Sequence, residues 1–408
     1  MSAKTKSGFE TLAKASVYTQ EQLMKVKKDN RTFFIGLPKE ISLQENRISL
    51  TPDAVAILVS HGHDVWVETQ AGVGSRFADK QYSEAGAKIV YSPQEVYKAD
   101  IILKIEPPTL AEMEYFKPNQ TLICALQVGH LEKNFIDALI AKRITALAWE
   151  FIEDKVGGMP IVRGMSEIAG STVMLIAAEY LSSVHDGKGI ILGGITGVPP
   201  TKVVIVGSGT VAEYAGRAAL SLGAEIQVFD NHLYKLRRIK HTLGHQFYTS
   251  TIDTATLGES LKSADVVIGA LRAEKGRARH VVSEEMVSHM KSNSLIIDLS
   301  IDQGGCIATS EITTHSKPTF RKYDVIHYCV PNVASRVAHT ATTALSNIFT
   351  PTILRAAEEG GVEEMIFSHK WFMKGVYTYK GGLTNESVAR KFGMKYKNIE
   401  LLAAGYNS

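Results

Sequence analysis

Gly207, Gly209 and Ala212 form a Gly-x-Gly-x-x-Ala turn directly after the apolar run Val203 to Val206, and Asp230 follows 23 residues beyond Gly207. Residues of these types at these spacings can hold a dinucleotide. Gly207 permits the tight turn, Gly209 lets the backbone approach a pyrophosphate, and Ala212 is small enough for a helix to lie against the strand. The helix start at Thr210 and Val211 offers N–H groups and the positive end of the helix dipole to the phosphates. Asp230 is placed to accept hydrogen bonds from the adenosine ribose hydroxyls. Its charge repels a 2′-phosphate, which favours NAD over NADP.

A strand–helix–strand unit must position these groups, and the pattern predicts one. Val203 to Val206 reads as a buried parallel strand. Val211, Tyr214, Ala215, Ala218, Ala219 and Leu222 recur at helical spacing, Gly223 stops the helix, and Glu225 to Phe229 is the second strand. Apolar runs at Val266 to Gly269, Ser294 to Leu299 and Asp324 to Val330 extend that sheet. Asp302 falls just past one of these runs, at the carboxyl end of a strand, where open α/β sheets bind ligands. A turn-capping role before Gly304 and Gly305 is the alternative.

Upstream, strands at Thr32 to Gly36, His63 to Glu68, Lys88 to Tyr91, Asp100 to Ile105, Leu122 to Leu126 and Thr145 to Ala148 alternate with helical segments. One of these helices is expected over Asp53 to Ser60, with Thr51 as its cap and Pro52 in its first turn. The fold class is therefore α/β with two open-sheet domains. A Rossmann NAD-binding domain (164–338), opened by a long bridging helix over 164–183, is inserted into a discontinuous substrate domain (34–163 and 339–408). The Lys-rich extension 1–33 reads as a solvated tail, or as a short helix packing Leu12, Val17 and Leu23 on a neighbouring subunit.

The 408 residues are 45% hydrophobic and 21% charged, an ordinary globular composition with room for two or three domains. A net charge of +3 gives no reason to expect nucleic acid, and no run of apolar residues is long enough to predict a membrane span. Cys124, Cys306 and Cys329 are scattered, which predicts neither a metal site nor a disulfide framework and suits the cytoplasm. His241 and His245 have i, i+4 spacing but no third ligand nearby, so no metal is expected.

The chain resembles the alanine dehydrogenase and nicotinamide nucleotide transhydrogenase family, and its alanine dehydrogenase branch in particular. The resemblance rests on Gly-Leu-Pro-Lys-Glu (36–40), Glu-Asn-Arg-Ile-Ser-Leu-Thr-Pro (45–52), Ala-Gly-Val-Gly-Ser (71–75), Met-Ser-Glu-Ile-Ala-Gly (165–170), Ile-Leu-Gly-Gly-Ile-Thr-Gly-Val-Pro-Pro (191–200) and Ile-Asp-Leu-Ser-Ile-Asp-Gln-Gly-Gly-Cys (297–306). It implies reversible oxidation of L-alanine by NAD and water to pyruvate, ammonium and NADH, in a homo-oligomer that is commonly a hexamer. It assigns Arg47 and Lys104 to the substrate, with the Arg47 fork suited to a carboxylate. It assigns Asp302 to catalysis. It also brings Ser166, Lys235, Leu271, Leu299, Ile301, Asn332 and Val333 to the cofactor.

Two positions depart from the family pattern. Glu106 stands where a second lysine grips the substrate, and a carboxylate there repels a substrate carboxylate. Gln127 stands at the catalytic histidine position and cannot transfer protons. His130, three residues on, is the candidate acid–base group, with a plain loop histidine as the alternative. Arg336 is a candidate source of the missing positive charge. These departures leave open a relative acting on another amino or keto acid, a transhydrogenase-like hydride transfer, and a non-catalytic NAD-binding oligomer.

Overall fold

The computed structural model describes residues 31–127, 131–154, 156–272 and 280–406. Most of the extension, residues 1–30, lies outside them, as does His130. The first sheet is built from β1 (Phe34–Leu37), β2 (Asp64–Glu68), β3 (Lys88–Val90), β4 (Ile101–Leu103), β5 (Thr121–Cys124) and β6 (Thr145–Ala148). The second contains β7 (Lys202–Val206), β8 (Glu225–Phe229), β9 (Tyr248–Ser250), β10 (Val266–Gly269), β11 (Leu295–Asp298), β12 (Thr319–Lys322) and β13 (Val325–Tyr328). Two late strands, β14 (Val376–Tyr379) and β15 (Gly382–Leu383), return to the first sheet.

The first sheet runs β15-β14-β6-β5-β4-β1-β2-β3 and the second β12-β13-β11-β10-β7-β8-β9. Parallel pairing dominates; among the strands of the described residues, β6–β14, β14–β15 and β12–β13 are the antiparallel pairs. In each sheet the chain begins in the middle and turns back on itself, between β1 and β4 in one and between β7 and β10 in the other. Neighbouring loops there diverge to opposite faces and leave a crevice at the carboxyl ends. The central strands carry Val, Ile and Leu on both faces because helices cover both sides.

Local chemistry explains the helix ends. Thr51 Oγ1 accepts from Ala54 N at 3.2 Å, and Pro52 opens the helix Pro52–Ser60. The long helix Pro160–Leu181 begins four residues ahead of the expected start, because Pro160 is suited to a first helical turn. It lies so close to the helix Thr210–Ser221 that a Cβ on Gly170 would come within 2.5 Å of Val211 O. By length and mean hydropathy of 1.3 this helix could cross a bilayer, but Val173, Met174, Ile176 and Ala177 are fully buried in the second domain's core. The helix Ala338–Glu358 returns the chain to the first domain, where Thr342 Oγ1 and Ser346 Oγ accept from Ile48 N and Thr51 N.

β13 falls within the expected run 324–330, but its hairpin partner β12 has no counterpart in the sequence reading. Its strand Thr-Phe-Arg-Lys does not alternate, and its turn residues Tyr323 and Asp324 both hold positive φ without the usual Asn-Gly pair.

Candidate active site

The dinucleotide side is formed where β7 ends. Gly207 holds φ +116°, and a Cβ there would lie 2.4 Å from Ala270 O, so only glycine fits. A Cβ on Gly209 meets nothing within 4 Å, so this turn faces open space. Thr210 and Val211 begin the helix, and its N-cap Gly209 supplies no side-chain cap. The first-turn N–H groups are thus presented to whatever occupies that space, which is the cradle a pyrophosphate requires. These residues fit NAD.

Asp230 differs in detail from the expectation. Its Oδ2 accepts from Ser208 N at 2.9 Å and Ser208 Oγ at 2.7 Å, and its Oδ1 from His232 N at 2.8 Å and Nδ1 at 2.9 Å. Burial alone would raise its pKa, but these bonds outweigh it and hold the carboxyl below its usual range. Asp230 therefore shapes the glycine turn, and a ribose hydroxyl would share or exchange with the His232 ring. Lys235 is half-buried one turn into the helix Leu233–Leu243.

The other expected cofactor residues surround the same strand ends. Leu299 N donates to Gly269 O at 2.9 Å, Ile301 is buried, and Leu271 follows β10 half-buried. Asp302 is exposed in the turn Ile301–Gln303. The turn is anchored by Asp298, which accepts from Ser300 N, Cys306 N and Ser310 Oγ at 2.8–3.0 Å. Ser166 is half-buried on the long helix, and Val333 is buried against the second core.

The side expected to take the substrate is formed by the carboxyl ends of β1, β4, β5 and β6. Arg47, only 4% exposed, is gripped by Glu45 through Nε–Oε1 at 2.8 Å and Nη2–Oε2 at 2.6 Å. Its remaining Nη1 faces Met165 Sδ at 3.4 Å, a weak acceptor that a carboxylate can replace. Lys104 does not match the expectation of direct substrate contact. It is 1% exposed, and its ammonium lies 3.1 Å from Glu40 and 2.9 Å from Glu112. Burial opposes its charge, but the two carboxylates outweigh burial and raise its pKa. The lysine braces the site from behind because Glu40, at the end of β1, is turned inward to accept from Ile105 N at 2.6 Å.

Glu106 follows directly at the end of β4. Its side chain is 14% exposed, with Oε1 3.9 Å from Arg47 Nη2. Oε2 accepts a hydrogen bond from Gln127 Nε2. Burial, joined by the charge of Glu45, pushes the Glu106 carboxyl up to about 8; Arg47 opposes the shift, while Glu40 and Asp302 add to it. Glu150 supports Gln127 by accepting from Leu126 N at 2.8 Å and Gln127 N at 3.1 Å. Sequence reasoning missed Glu40, Glu45, Glu112 and Glu150 as site residues, although Glu40 and Glu45 sit inside the motifs that carry the resemblance.

One residue joins the two sides. Asn332 Nδ2 donates to Glu45 Oε2 at 2.7 Å, while its N–H donates to Asp302 Oδ1 at 3.1 Å. Ser335 Oγ reinforces the link, accepting from Asn46 N at 2.9 Å and donating to Gln44 O at 2.7 Å. Arg336 does not serve as the replacement cation in this arrangement, because its Nη2 pairs with Glu179 Oε2 at 2.5 Å. A groove of about 560 Å³ flanks this link, between Asn46, Gly74 and Arg76 on one side and Ser335 and His339 on the other. Among the described residues no cluster of His, Cys, Asp and Glu could hold a metal ion.

Comparison with known proteins shows which family the two domains resemble. Family models for the alanine dehydrogenase/PNT N-terminal and C-terminal domains match residues 36–169 and 173–386. Alanine dehydrogenase 2 of Staphylococcus aureus strain USA300 is 39% identical over 367 residues, spanning 90% of this chain and 98% of its own. A solved L-alanine dehydrogenase superposes with a TM-score of 0.83 at 34% identity, covering 88% of this chain and 99% of its own. A transhydrogenase from Sinorhizobium meliloti shares the fold, with a TM-score of 0.74 at 23% identity over 86% of this chain and 99% of its own. With family models matching both α/β domains over most of the chain and a relative 39% identical over 90% of it, the chain belongs to the alanine dehydrogenase/PNT family.

Proposed function

We propose that the chain is an NAD-dependent amino-acid dehydrogenase that oxidises L-alanine reversibly to pyruvate and ammonium. The observation that carries this reading is the bond pair at Asn332, which ties the Asp302 turn beside the glycine cradle to Glu45 and hence to Arg47. Bound NAD supplies the acceptor for the substrate's Cα hydride. Arg47 orients the substrate carboxylate by giving up its thioether contact for a charge-assisted bond. Asp302 accepts hydrogen bonds from the substrate amine and holds Cα toward the glycine turn. Lys104 keeps Glu40 and Glu112 neutralised behind the pocket.

The three cysteines are buried and unbridged, which supports work in a reducing compartment such as the cytoplasm. The resemblance supports a homo-oligomer, to be measured by sedimentation. The test of the activity is NADH formation from L-alanine at alkaline pH beside the reverse assay with pyruvate and ammonium. Robust turnover is expected in both. NADH binding without turnover would favour the second reading, in which the Glu106 carboxyl selects a different amino or keto acid; a panel of such acids would then identify it.

A further inference from the structure

We propose that Glu106, positioned by Gln127, is the acid–base group that passes protons between water and substrate at this site. The proposal rests on the dehydrogenase reading and supplies what that reading lacks. Oxidised substrate must add water and release ammonia, and each step moves a proton. Gln127 has no titratable proton to offer.

Glu106 has the required placement. It leaves the end of β4 beside the crevice, with Oε1 3.9 Å from the Arg47 guanidinium. Oε2 is held by the Gln127 amide from the end of β5. Gln127 also lines, with Pro107, Pro108, Thr109, Leu126 and Glu132, a small hollow of about 200 Å³. The carboxyl thus sits, largely buried, against a charged cluster. Four charged groups act on it: Glu45, Arg47 and Glu40 from the segment after β1, and Asp302 from the turn after β11. Three of the four are acidic, and Arg47 is already committed to Glu45. Together with burial they bring its ionisation to about 8, where both protonation states are accessible near neutrality.

The proton balance closes. After hydride loss the substrate is an iminium, C=NH2⁺. Water adds to its carbon while ionised Glu106 takes one water proton, giving a neutral carbinolamine. Protonated Glu106 then returns that proton to nitrogen, the C–N bond breaks, and the departing ammonia takes the hydroxyl proton. The products are C=O and NH4⁺, and Glu106 is ionised again. Reductive amination runs these steps backwards: it too begins with ionised Glu106, which takes a proton from the carbinolammonium nitrogen and then gives it to the departing hydroxyl.

Glu106→Gln tests the role. In the oxidative direction, wild-type kcat is expected to rise with pH through one ionisation near 8. The variant is expected to lose roughly 10²- to 10⁴-fold in kcat together with that limb, while its NADH affinity stays unchanged. Glu106→Asp should recover part of the rate. Gln127→Leu removes a donor that favours the ionised form, so the limb should move to higher pH. Infrared difference spectra between about pH 6 and about pH 10 should show a carboxylic acid ionising in wild type that is missing from Glu106→Gln, a reading independent of turnover.

Turnover within a few-fold of wild type in Glu106→Gln overturns the role and leaves the dehydrogenase reading intact. An unmoved limb in Gln127→Leu overturns the positioning by Gln127. Wild-type protein that binds NADH yet turns over no amino or keto acid overturns the dehydrogenase reading, and this role with it.

Discussion

Asn332 donates its side-chain amide to Glu45 at 2.7 Å across the boundary between the two sheets' domains. Glu45 Oε2 receives that bond and the Arg47 Nη2 bond together, so the acid that grips Arg47, the arginine proposed to bind substrate, is itself held from the second domain. The link between the two domains and the position of Arg47 therefore share this hydrogen bond.

Asn332→Gly isolates that bond. Asn332 sits at φ +54°, a conformation glycine adopts without strain, so the substitution removes the amide and leaves the turn. Losing a hydrogen bond to a charged acceptor costs about 1.5–3 kcal/mol. The expected result is a rise of roughly tenfold or more in KM for the amino acid. Steady-state kinetics check it, and an unchanged KM would show that Glu45 aims Arg47 unaided.

Gly207 and Gly209 should respond differently to alanine. At Gly207 the added Cβ meets Ala270 O at 2.4 Å on a left-handed backbone, so Gly207→Ala should destabilise the domain and lower the thermal midpoint. At Gly209 the Cβ enters open space, so Gly209→Ala should melt as wild type does but bind NADH weakly, because the methyl intrudes on the phosphate approach. Thermal melts beside NADH fluorescence titrations separate the two. Unimpaired NADH binding by Gly209→Ala would move the phosphates away from this turn.

The glycine turn is legible in the sequence because its chemistry lies in local spacing, and the Thr51–Pro52 helix start is legible for the same reason. Strand–helix alternation likewise identifies two open sheets. Contacts made by topology are not legible. Gln127 reaches Glu106 only because β4 and β5 are neighbours, and no spacing rule predicts that bond. Lys104 reads as a substrate cation until the fold buries it between Glu40 and Glu112. The return of β14 onto β6 joins residues more than 200 positions apart, and only packing specifies it.

Lys104→Met makes that difference measurable. Removing one partner of a buried ion cluster strands the others, at a cost of about 3–5 kcal/mol. The variant should therefore lose stability in denaturant at neutral pH. The loss should shrink toward acidic pH, where Glu40 and Glu112 can take up protons. A lysine that served the substrate alone would raise KM and leave the denaturation midpoint in place.

Glu106 makes an opposite prediction for stability. Its carboxyl ionises at about 8 in the folded chain, against an ordinary value of 4.5. Between those two values the folded state keeps a proton that the unfolded state has released, so stability falls as pH rises through the window. The slope is at most about 1.4 kcal/mol per pH unit, and less where solvent screens the exposed edge of the side chain. Glutamine keeps the shape and a bond to Gln127 but has no proton to lose. Glu106→Gln should therefore be more stable than wild type above the ordinary carboxyl range, with a gap that widens to about pH 8 and then levels off. Denaturation midpoints across that range measure it. A gap that stays flat with pH would mean that the carboxyl is ionised throughout, and would remove the reason for a neutral acid beside Arg47. A widening gap would show that the group held ready for proton transfer is kept at the expense of stability.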